Sequence, residues 1–353
     1  GGESGLAPEG ATLDETELTA SANVDHLFYA ETTLALHEDE EGTEVEVEEA
    51  FFDPVALPAG LGLRAGRFYS AIGYLNSFHT HAWDFHDAPL VYRAFLGNQY
   101  RDDGIRLNWT APTGLYLNLG SEILAGNSFP AGSSDSTVGD AWTLFAEVGG
   151  DVGTDNAWQA GLSTLMLDVN ERASGHGHGG GSDGAVFSGN SDLYIADFVW
   201  KWAPDGNASR RSFKLQGEAF YREEDGGVVF TEGVDQALLD YDGHQYGYYL
   251  QALYQFMPRW RAGLRYDRLS ADNAVTVTSL GTFTDPLEVL DESGFVGAGH
   301  RPERWSLMLD WTPSEFSRLR AQYNRDQSRP FVTDQQWSLQ YIMSLGAHGA
   351  HPF

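Results

Sequence analysis

Residues 305–311 read WSLMLDW, and this stretch decides the fold. Its first, third, fifth and seventh residues, from Trp305 to Trp311, are large and apolar, whereas Ser306 and Asp310 stand between them. Successive side chains of a β-strand point to opposite faces, so the segment predicts a strand with one apolar and one mostly polar face. A helix would distribute the same residues over all of its sides.

The same two-residue alternation recurs along the chain in segments of about ten residues, the length of a strand that crosses a membrane. Residues 115–123 and 260–267 repeat it clearly. Applied throughout, the pattern predicts fifteen strands, near residues 12–22, 26–37, 43–53, 60–69, 100–111, 114–125, 139–150, 156–168, 191–203, 210–223, 244–256, 259–271, 303–312, 316–325 and 335–346.

The connections between these strands alternate in length, which is a second and independent signal. Short connections fall near residues 23–25, 53–60, 111–113, 151–155, 203–209, 257–258 and 312–315. Long ones fall near residues 70–99, 126–138, 169–190, 224–243, 272–302 and 326–334. Barrels of the bacterial outer membrane have short periplasmic turns and long external loops, whereas a soluble β-sandwich has no reason to sort its loops in this way.

These two signals together predict an all-β protein, a transmembrane antiparallel up-and-down β-barrel that occupies residues 1–353 as a single domain. Its apolar faces would contact outer-membrane lipid, and its polar faces would enclose an aqueous interior. Tryptophans cluster near the predicted strand ends, at the level where amphipathic rings meet lipid headgroups.

The composition excludes several other classes of protein. The chain has 51 acidic and 21 basic residues and a net charge of −30, so it offers no basic face for a nucleic acid. No apolar run reaches the roughly 18 residues that a membrane-spanning helix needs. Cysteine is absent, which rules out a disulfide scaffold.

The predicted strand number is odd, whereas bacterial barrels of a single chain have an even number and begin and end in the periplasm. We therefore expect one further strand upstream of residue 1, which would give sixteen, or fourteen if one of the weaker strands fails. Residues 1–10 carry neither the basic nor the apolar stretch of a signal peptide, so the exported precursor is expected to be longer.

Residues 67–76 (RFYSAIGYLN), 79–85 (HTHAWDF) and 87–90 (DAPL) resemble a family of Gram-negative proteins known as zinc-regulated outer-membrane receptors. Residues 44–50 (EVEVEEA) and the tail 345–353 (LGAHGAHPF) resemble the same family, so the likeness covers most of the chain. The overall plan, with a Gly-Arg-Phe strand before a long loop, is also similar to phosphate-selective porins. The resemblance implies an outer-membrane transport protein with zinc as a candidate solute.

Two properties linked to these families are not expected here. The first family is often labelled TonB-dependent, but such receptors look like barrels of roughly 22 strands around a folded plug, and this chain has room for neither. Phosphate selectivity needs rings of Lys and Arg, whereas the loops of this chain are acidic.

Charged residues on the predicted inner faces are the candidate pore-lining groups. Carboxylates occupy the first half of the barrel: Glu17, Glu31, Glu46, Glu48, Glu122 and Glu147. Cations occupy the second half: Lys214, Arg222, Arg261, Arg265, Arg318 and Arg320. This separation predicts a transverse field across the pore, which would favour small dipolar or charged solutes. The alternative is that the groups form salt bridges that only brace the wall.

His79, His81, Asp84 and His86 form an H-x-H-x-x-D-x-H group in the first long loop. Imidazole nitrogens and a carboxylate are ligands that suit Zn²⁺, and the His-x-His step places both rings on one side of an extended segment. The alternative is that these residues, with the aromatic residues between them, hydrogen-bond a loop that folds into the pore as a constriction.

Two further histidine pairs are weaker metal candidates. His176 and His178 lie in a glycine-rich tract that would bind metal loosely, because its flexibility disfavours a rigid tetrahedral site. His348 and His351 repeat a Gly-Ala-His unit and would supply two ligands. No cofactor is required by any pattern in the chain, and Zn²⁺ is the metal that these groups would take.

Signatures of catalysis are absent from the sequence: neither G-x-S-x-G nor H-E-x-x-H occurs, and no Gly-rich phosphate loop leads from a strand into a helix. An enzyme is therefore not expected. The sequence predicts a passive, porin-like channel for small polar solutes, favouring cations or zinc, with the loop at 70–99 narrowing it. A barrel that captures metal or holds a partner protein without conducting is the alternative, and a homotrimer is left open.

Overall fold

The computed structural model describes residues 10–13, 15–39, 42–132, 138–173, 184–296 and 299–346. They form one antiparallel sheet of fifteen strands, paired in chain order. The strands are β1 (Thr16–Asn23), β2 (Phe28–Asp39), β3 (Gly42–Pro54), β4 (Leu61–Tyr69), β5 (Arg101–Thr110), β6 (Tyr116–Leu124), β7 (Ala141–Val152), β8 (Asn156–Ala173), β9 (Gly184–Trp202), β10 (Ser212–Glu232), β11 (Asp235–Met257), β12 (Trp260–Ser279), β13 (Glu303–Ser314), β14 (Ser317–Asp326) and β15 (Asp334–Met343). The helices are α1 (Leu90–Leu96) and α2 (Pro286–Glu292), with 3₁₀ turns at Pro58–Gly60, Leu75–Ser77, Thr80–Ala82 and Pro204–Gly206.

Strand β13 shows the physical principle of the sheet. Trp305 and Leu307 on its outer face are 43% and 53% exposed, whereas Arg304 and Asp310 on its inner face are 1% and 0% exposed. Such an arrangement, with apolar groups outside and charged groups inside, is stable where the outer face meets hydrocarbon. The prediction of an antiparallel, up-and-down barrel from residues 305–311 is confirmed.

Aromatic residues on the outer face mark the two edges of the apolar zone. Trp260 and Trp311 stack with ring centroids 6.1 Å apart near the short turns. Tyr266 and Trp305 lie 4.5 Å apart at the other end of the same apolar stretch. Rings of this kind favour the interface between lipid and water. None of the helices in the described part of the chain is long and apolar enough to span a membrane.

Strands β8 to β12 extend further than the sequence predicts. The predicted loop at 224–243 is wrong, because β10 and β11 continue to a tight turn at residues 233–234. The predicted loops at 169–190 and 272–302 are too long, because β8 ends at Ala173, β9 begins at Gly184 and β12 ends at Ser279. The loops predicted at 126–138 and 326–334 correspond to connections at 125–140 and 327–333.

The extensions were missed because their alternation is inverted. In the upper part of β10, Val228 and Phe230 face inward and are buried, whereas Glu223 and Asp225 face outward and are exposed. Beyond the apolar zone the outer face meets water instead of lipid, so the polar residues change sides. A template that requires apolar residues outside does not recognise such a strand.

Residues 70–100, which we call the inserted segment, fold into the space that the sheet encloses. The residues of α1 explain why: Val91, Tyr92 and Phe95 are buried and pack in one core with Phe220 of β10. Packing this apolar face against the inner wall removes it from water. The connection at 70–99, predicted as a long external loop that narrows the channel, therefore folds into the interior, as the alternative of a loop folded into the pore describes.

The two ends of the sheet each have one partner strand in the described residues: β1 pairs with β2, and β15 pairs with β14. No ladder between β1 and β15 is present in this part of the chain. The additional upstream strand stays a prediction.

Candidate functional site

Side chains of the wall accept hydrogen bonds from the backbone of the inserted segment. The backbone amide of Ala71 donates to Glu122 of β6 at 3.0 Å, and the amides of Tyr74 and Leu75 donate to Glu218 of β10 at 3.0 Å each. Further along the segment, the amide of His86 donates to Gln322 of β14 at 2.8 Å, and the amide of Leu90 donates to Asp267 of β12 at 2.9 Å. Irregular backbone at membrane depth is stable where such groups satisfy it. The acceptors lie on strands from β6 to β14, so the wall surrounds the segment.

Glu218 accepts four hydrogen bonds, three of which attach the inserted segment. Besides the two amides, its carboxylate accepts from the hydroxyl groups of Tyr92 in α1, at 2.8 Å, and Tyr249 of β11, at 2.6 Å. Charge-assisted hydrogen bonds to a buried carboxylate are strong, because the alternative is an unsatisfied charge. Glu218 therefore ties α1 and residues 74–75 to β10 and β11.

Asp84 and Asp87 of the inserted segment contact the basic wall, by which we mean the inward-facing Lys214, Arg261, Arg265, Arg304, Arg318 and Arg320. Asp84 pairs with Lys214 at 3.0 Å and with Arg261 at 2.7 Å. Asp87 pairs with Arg265 and Arg304 at 2.8 Å each. Burial raises the pKa of both carboxyl groups, but these cations outweigh it and hold both pKa values well below the usual range.

Carboxylates on the strands neutralise the basic wall further. Asp310 of β13 pairs with Arg261 at 2.7 Å and with Arg320 at 2.9 Å. Asp267 of β12 pairs with Arg265 at 3.0 Å. The basic wall is thus a network in which each carboxylate serves two or more cations, and the predicted bracing by salt bridges describes this side of the barrel.

His79 and His81 of the inserted segment contact the acidic wall, which we define as Glu17 of β1, Glu31 of β2, and Glu46, Glu48 and Glu49 of β3. The ring nitrogen Nε2 of His79 lies 3.0 Å from Glu49, and Nδ1 of His81 lies 3.0 Å from Glu17. Although burial lowers it, the neighbouring carboxylates of Glu48 and Glu49 raise the pKa of His79 to about 10. The segment therefore presents imidazoles to one side of the lumen and carboxylates to the other.

A β-bulge in β3 brings two consecutive glutamates to the inner face. Thr33 of β2 pairs with Glu49 and Leu34 pairs with Val47, so Glu48 is the extra residue. Strict alternation would point Glu48 and Glu49 to opposite faces, but both are buried. Alternation along the sequence predicted Glu48 on the inner face but not Glu49, because nothing in residues 44–50 indicates the position of the β-bulge.

The other predicted pore-lining residues also lie on the inner face, with local partners. Two glutamates accept from neutral groups: Glu31 from the hydroxyl of Tyr29, and Glu147 from Tyr116 and Asn118. Two others form ion pairs, Glu46 with Arg101 and Glu122 with Arg106 at 2.6 Å. Arg222 lies 3.5 Å from Glu224, and Arg318 and Arg320 donate to the carbonyl of Trp83. The predicted residues carry the expected signs, but the two halves are not separated by charge, because Arg101 and Arg106 lie among the carboxylates and Asp267 and Asp310 lie among the cations.

The predicted metal group of His79, His81, Asp84 and His86 is not brought together. Asp84 turns to Lys214 and Arg261, since two cations stabilise its charge, and His86 lies beside β14. His79 and His81 remain together, with ring centroids 5.7 Å apart. His176, His178, His348 and His351 lie outside the described residues.

Several residues of the site were missed at the sequence level: Glu49, Asp87, Glu218, Asp267, Arg304 and Asp310. Four of these could have been found by alternation alone: Glu218 and Asp267 share the inward parity of predicted residues on β10 and β12, and Arg304 and Asp310 lie on the face of β13 opposite Trp305 and Leu307. Asp87 lies in the inserted segment and carries no such signal.

The fold is that of an outer-membrane β-barrel of the porin type. Fifteen antiparallel strands form its wall, and aromatic rings border its apolar outer zone. A connecting segment enters its polar interior. The chain is an integral outer-membrane protein. No family model matches its sequence. An uncharacterized protein of Aquifex aeolicus (strain VF5) is 29% identical over 367 residues, which is 98% of this chain and 70% of that protein.

Several solved structures share this fold. OprB of Pseudomonas putida, at high pH, superposes with a TM-score of 0.55 and 13% identity over 93% of this chain and 86% of that one. An anion-selective porin from Comamonas acidovorans gives a TM-score of 0.51 and 11% identity over 93% and 87%. The outer-membrane channel DcaP of Acinetobacter baumannii gives 0.50 and 13% over 94% and 84%. At such identities the likeness shows the fold.

Proposed function

We propose that this chain is a passive outer-membrane channel for small polar solutes, that it favours cations, and that the inserted segment is its constriction. The attachment of the segment carries this conclusion: its imidazoles bind the acidic wall and its carboxylates bind the basic wall. A segment held in this way narrows an aqueous lumen and lines it with charged groups, which is how porin-like pores select solutes.

The distribution of accessible charge supports the preference for cations. Arg265, Arg304 and Arg320 are each 1% exposed and paired with carboxylates, so these three arginines contribute little positive potential to the water in the lumen. By contrast, the side chain of Glu46 is 42% exposed, and Glu147 accepts hydrogen bonds from the neutral Tyr116 and Asn118. The net charge of −30 acts in the same direction, because it concentrates cations at the openings.

Among cations, we include Zn²⁺ in the proposal. The resemblance of residues 67–90 to zinc-regulated receptors implies it, and the imidazoles and carboxylates beside the constriction are donors that Zn²⁺ accepts. Passive diffusion through the lumen needs no TonB-dependent step.

Reconstitution in planar lipid bilayers tests the channel. With a tenfold KCl gradient across the bilayer, we expect ohmic single-channel currents and a reversal potential of the sign that cation preference gives. A reversal potential of the opposite sign would contradict the preference for cations. Complete absence of current from correctly folded protein would reject the channel and favour a barrel that captures metal or holds a partner.

Asp84→Asn tests whether the inserted segment forms the constriction. The change removes a carboxylate and leaves Lys214 and Arg261 with less neutralisation, so the reversal potential should shift toward anions and the open-channel current should become noisier. Asp168→Asn is the matched control, because Asp168 is exposed on the outer face of β8. Equal reversal potentials for both variants and the unaltered protein would place the selective region elsewhere.

A further inference from the structure

We infer that His79, Glu48 and Glu17 form a binding site for a single divalent transition-metal ion of the Zn²⁺ class. The ligand atoms would be Nδ1 of His79 and one carboxylate oxygen each from Glu48 and Glu17. The site joins the inserted segment to β1 and β3. It replaces the ligand set predicted from the sequence, and it does not depend on whether the barrel conducts.

The spacing of the three ligand atoms suits a tetrahedral metal ion. Nδ1 of His79 lies 3.4 Å from Oε2 of Glu48 and 3.6 Å from Oε2 of Glu17. Metal–ligand bonds of about 2.0–2.2 Å at tetrahedral angles separate the ligands by about 3.3–3.6 Å. The three atoms all lie within 4.8 Å of one another, so an ion fits between them after a shift of the two carboxylates toward each other.

Two of the three atoms, Oε2 of Glu48 and Nδ1 of His79, are buried and face each other at 3.4 Å, and neither makes a hydrogen bond of good geometry within the described residues. Glu48 is 3% exposed, so water does not reach its free oxygen readily. Buried polar atoms in proteins are nearly always satisfied, and an orphaned pair that converges on one point indicates a missing ligand. Carboxylate oxygen and imidazole nitrogen together indicate a cation.

The groups around the site orient the ligands for metal. Nε2 of His79 lies 3.0 Å from Oε2 of Glu49, and a proton on Nε2 leaves the Nδ1 lone pair facing Glu48 and Glu17. This carboxylate–histidine arrangement is the usual support of a metal-bound imidazole. The other oxygen of Glu48 accepts from the hydroxyl of Tyr69 at 2.7 Å and lies 3.2 Å from Arg101, which holds the carboxylate in place.

His81 lies where it can supply the fourth ligand of the metal ion. Its Nδ1 lies 3.0 Å from Oε2 of Glu17, and its ring stacks on that of His79. The ring is more exposed than that of His79, so it can turn to the ion or leave that position to water. Three protein ligands with one open position are typical of exchangeable Zn²⁺, whereas Ca²⁺ and Mg²⁺ prefer six or more oxygens.

A protonated His79 held by its glutamates is the competing arrangement, and metal titration separates the two. We would titrate the folded protein in detergent with ZnCl₂ by calorimetry and with CoCl₂ by visible absorption. His176→Gln and His178→Gln would be present throughout, because they remove loose binding by the glycine-rich tract. We expect one equivalent of Zn²⁺ and the visible bands of four-coordinate Co²⁺.

Glu48→Gln and His79→Gln should each weaken Zn²⁺ binding at least tenfold, and His81→Gln should weaken it less. His244→Gln is the matched control: His244 also lies near two carboxylates, at 3.3 Å from Asp242 and 4.0 Å from Glu223, but on the exposed outer face. Retained β-sheet circular dichroism would show that each variant is folded. No stoichiometric binding, or equal affinity in Glu48→Gln and His244→Gln, would overturn the metal site.

Discussion

Asp310 shows how one residue organises the basic wall. It is fully buried and lies within ion-pair distance of Arg261, Arg318 and Arg320, at 2.7, 3.9 and 2.9 Å. Two of these arginines also reach the inserted segment, since Arg261 pairs with Asp84 and Arg320 donates to the carbonyl of Trp83. The position of the segment therefore depends on a carboxylate with which it makes no contact of its own.

Asp310→Asn should destabilise the folded barrel by about 3–5 kcal/mol, because it leaves buried guanidinium groups without their counter-charge. Asp242→Asn, at an exposed position on the outer face, should change the free energy of unfolding by less than about 0.5 kcal/mol. Urea unfolding of the detergent-solubilised protein, followed by tryptophan fluorescence, measures both. Equal losses from the two substitutions would refute a structural role for the network.

For single residues, the sequence predicted which side chains face inward, but it did not predict which residues they contact. Glu17, Glu48 and Arg265 were expected on the inner face and lie there. The pairing of Asp84 with Lys214 was not expected, because 130 residues separate the two in the chain. Spacing along a loop says nothing about which distant strand a side chain meets.

The hairpin of β10 and β11 shows how one element serves two environments. In its lower part, Leu250 and Tyr254 face outward and are exposed, as a lipid-facing surface requires. In its upper part, Leu239 and Tyr241 face inward and are buried, and they share a core with Val289 of α2. The strand keeps its two-residue period throughout, but the apolar side changes where the lipid ends.

Val228→Asp and Val229→Asp, on adjacent residues of β10, test this inversion. Val228 is 1% exposed on the inner face, so an aspartate there buries an unpaired charge and should open the upper hairpin. Val229 is 38% exposed on the outer face, so its replacement should be tolerated if that face meets water. Limited proteolysis of intact cells or proteoliposomes measures the difference. Greater damage from Val229→Asp would mean that the upper hairpin lies in lipid.

The inserted segment was predictable as a connection that narrows the channel, but its contacts with the wall were not predictable. Its lack of regular alternation separates it from the strands, and the residues of α1 (LVYRAFL) are too apolar for an exposed loop. The contacts that hold it inside the barrel come from strands as distant as β14, 236 residues away in the case of His86 and Gln322. Loop length alone predicts a long connection and does not say which strands it contacts.

For the molecule as a whole, acidic groups dominate the net charge while the basic wall is internally neutralised. Selectivity that arises from such diffuse charge is screened by salt, since the Debye length falls from about 10 Å at 0.1 M to about 3 Å at 1 M. Selectivity from a tight, desolvated site is screened much less.

We therefore expect the cation preference to weaken as salt rises. Reversal potentials measured at a fixed tenfold KCl ratio should be larger for a pair of dilute solutions than for a concentrated pair. Equal reversal potentials at both salt levels would exclude diffuse acidic charge as the source of selectivity and indicate a desolvated filter instead.

The sequence by itself determined the class of fold, because the alternation of apolar and polar residues is a local property that each strand carries independently of its neighbours. It also determined which charged residues of the predicted strands face inward. Only the tertiary structure decided where residues 70–100 lie, and it separated Asp84 from His79 while bringing Glu48 and Glu17 to that histidine. Those contacts join residues far apart in the chain, which no local pattern can predict. In addition, the β-bulge in β3 turns both Glu48 and Glu49 inward, and the local sequence does not indicate that bulge.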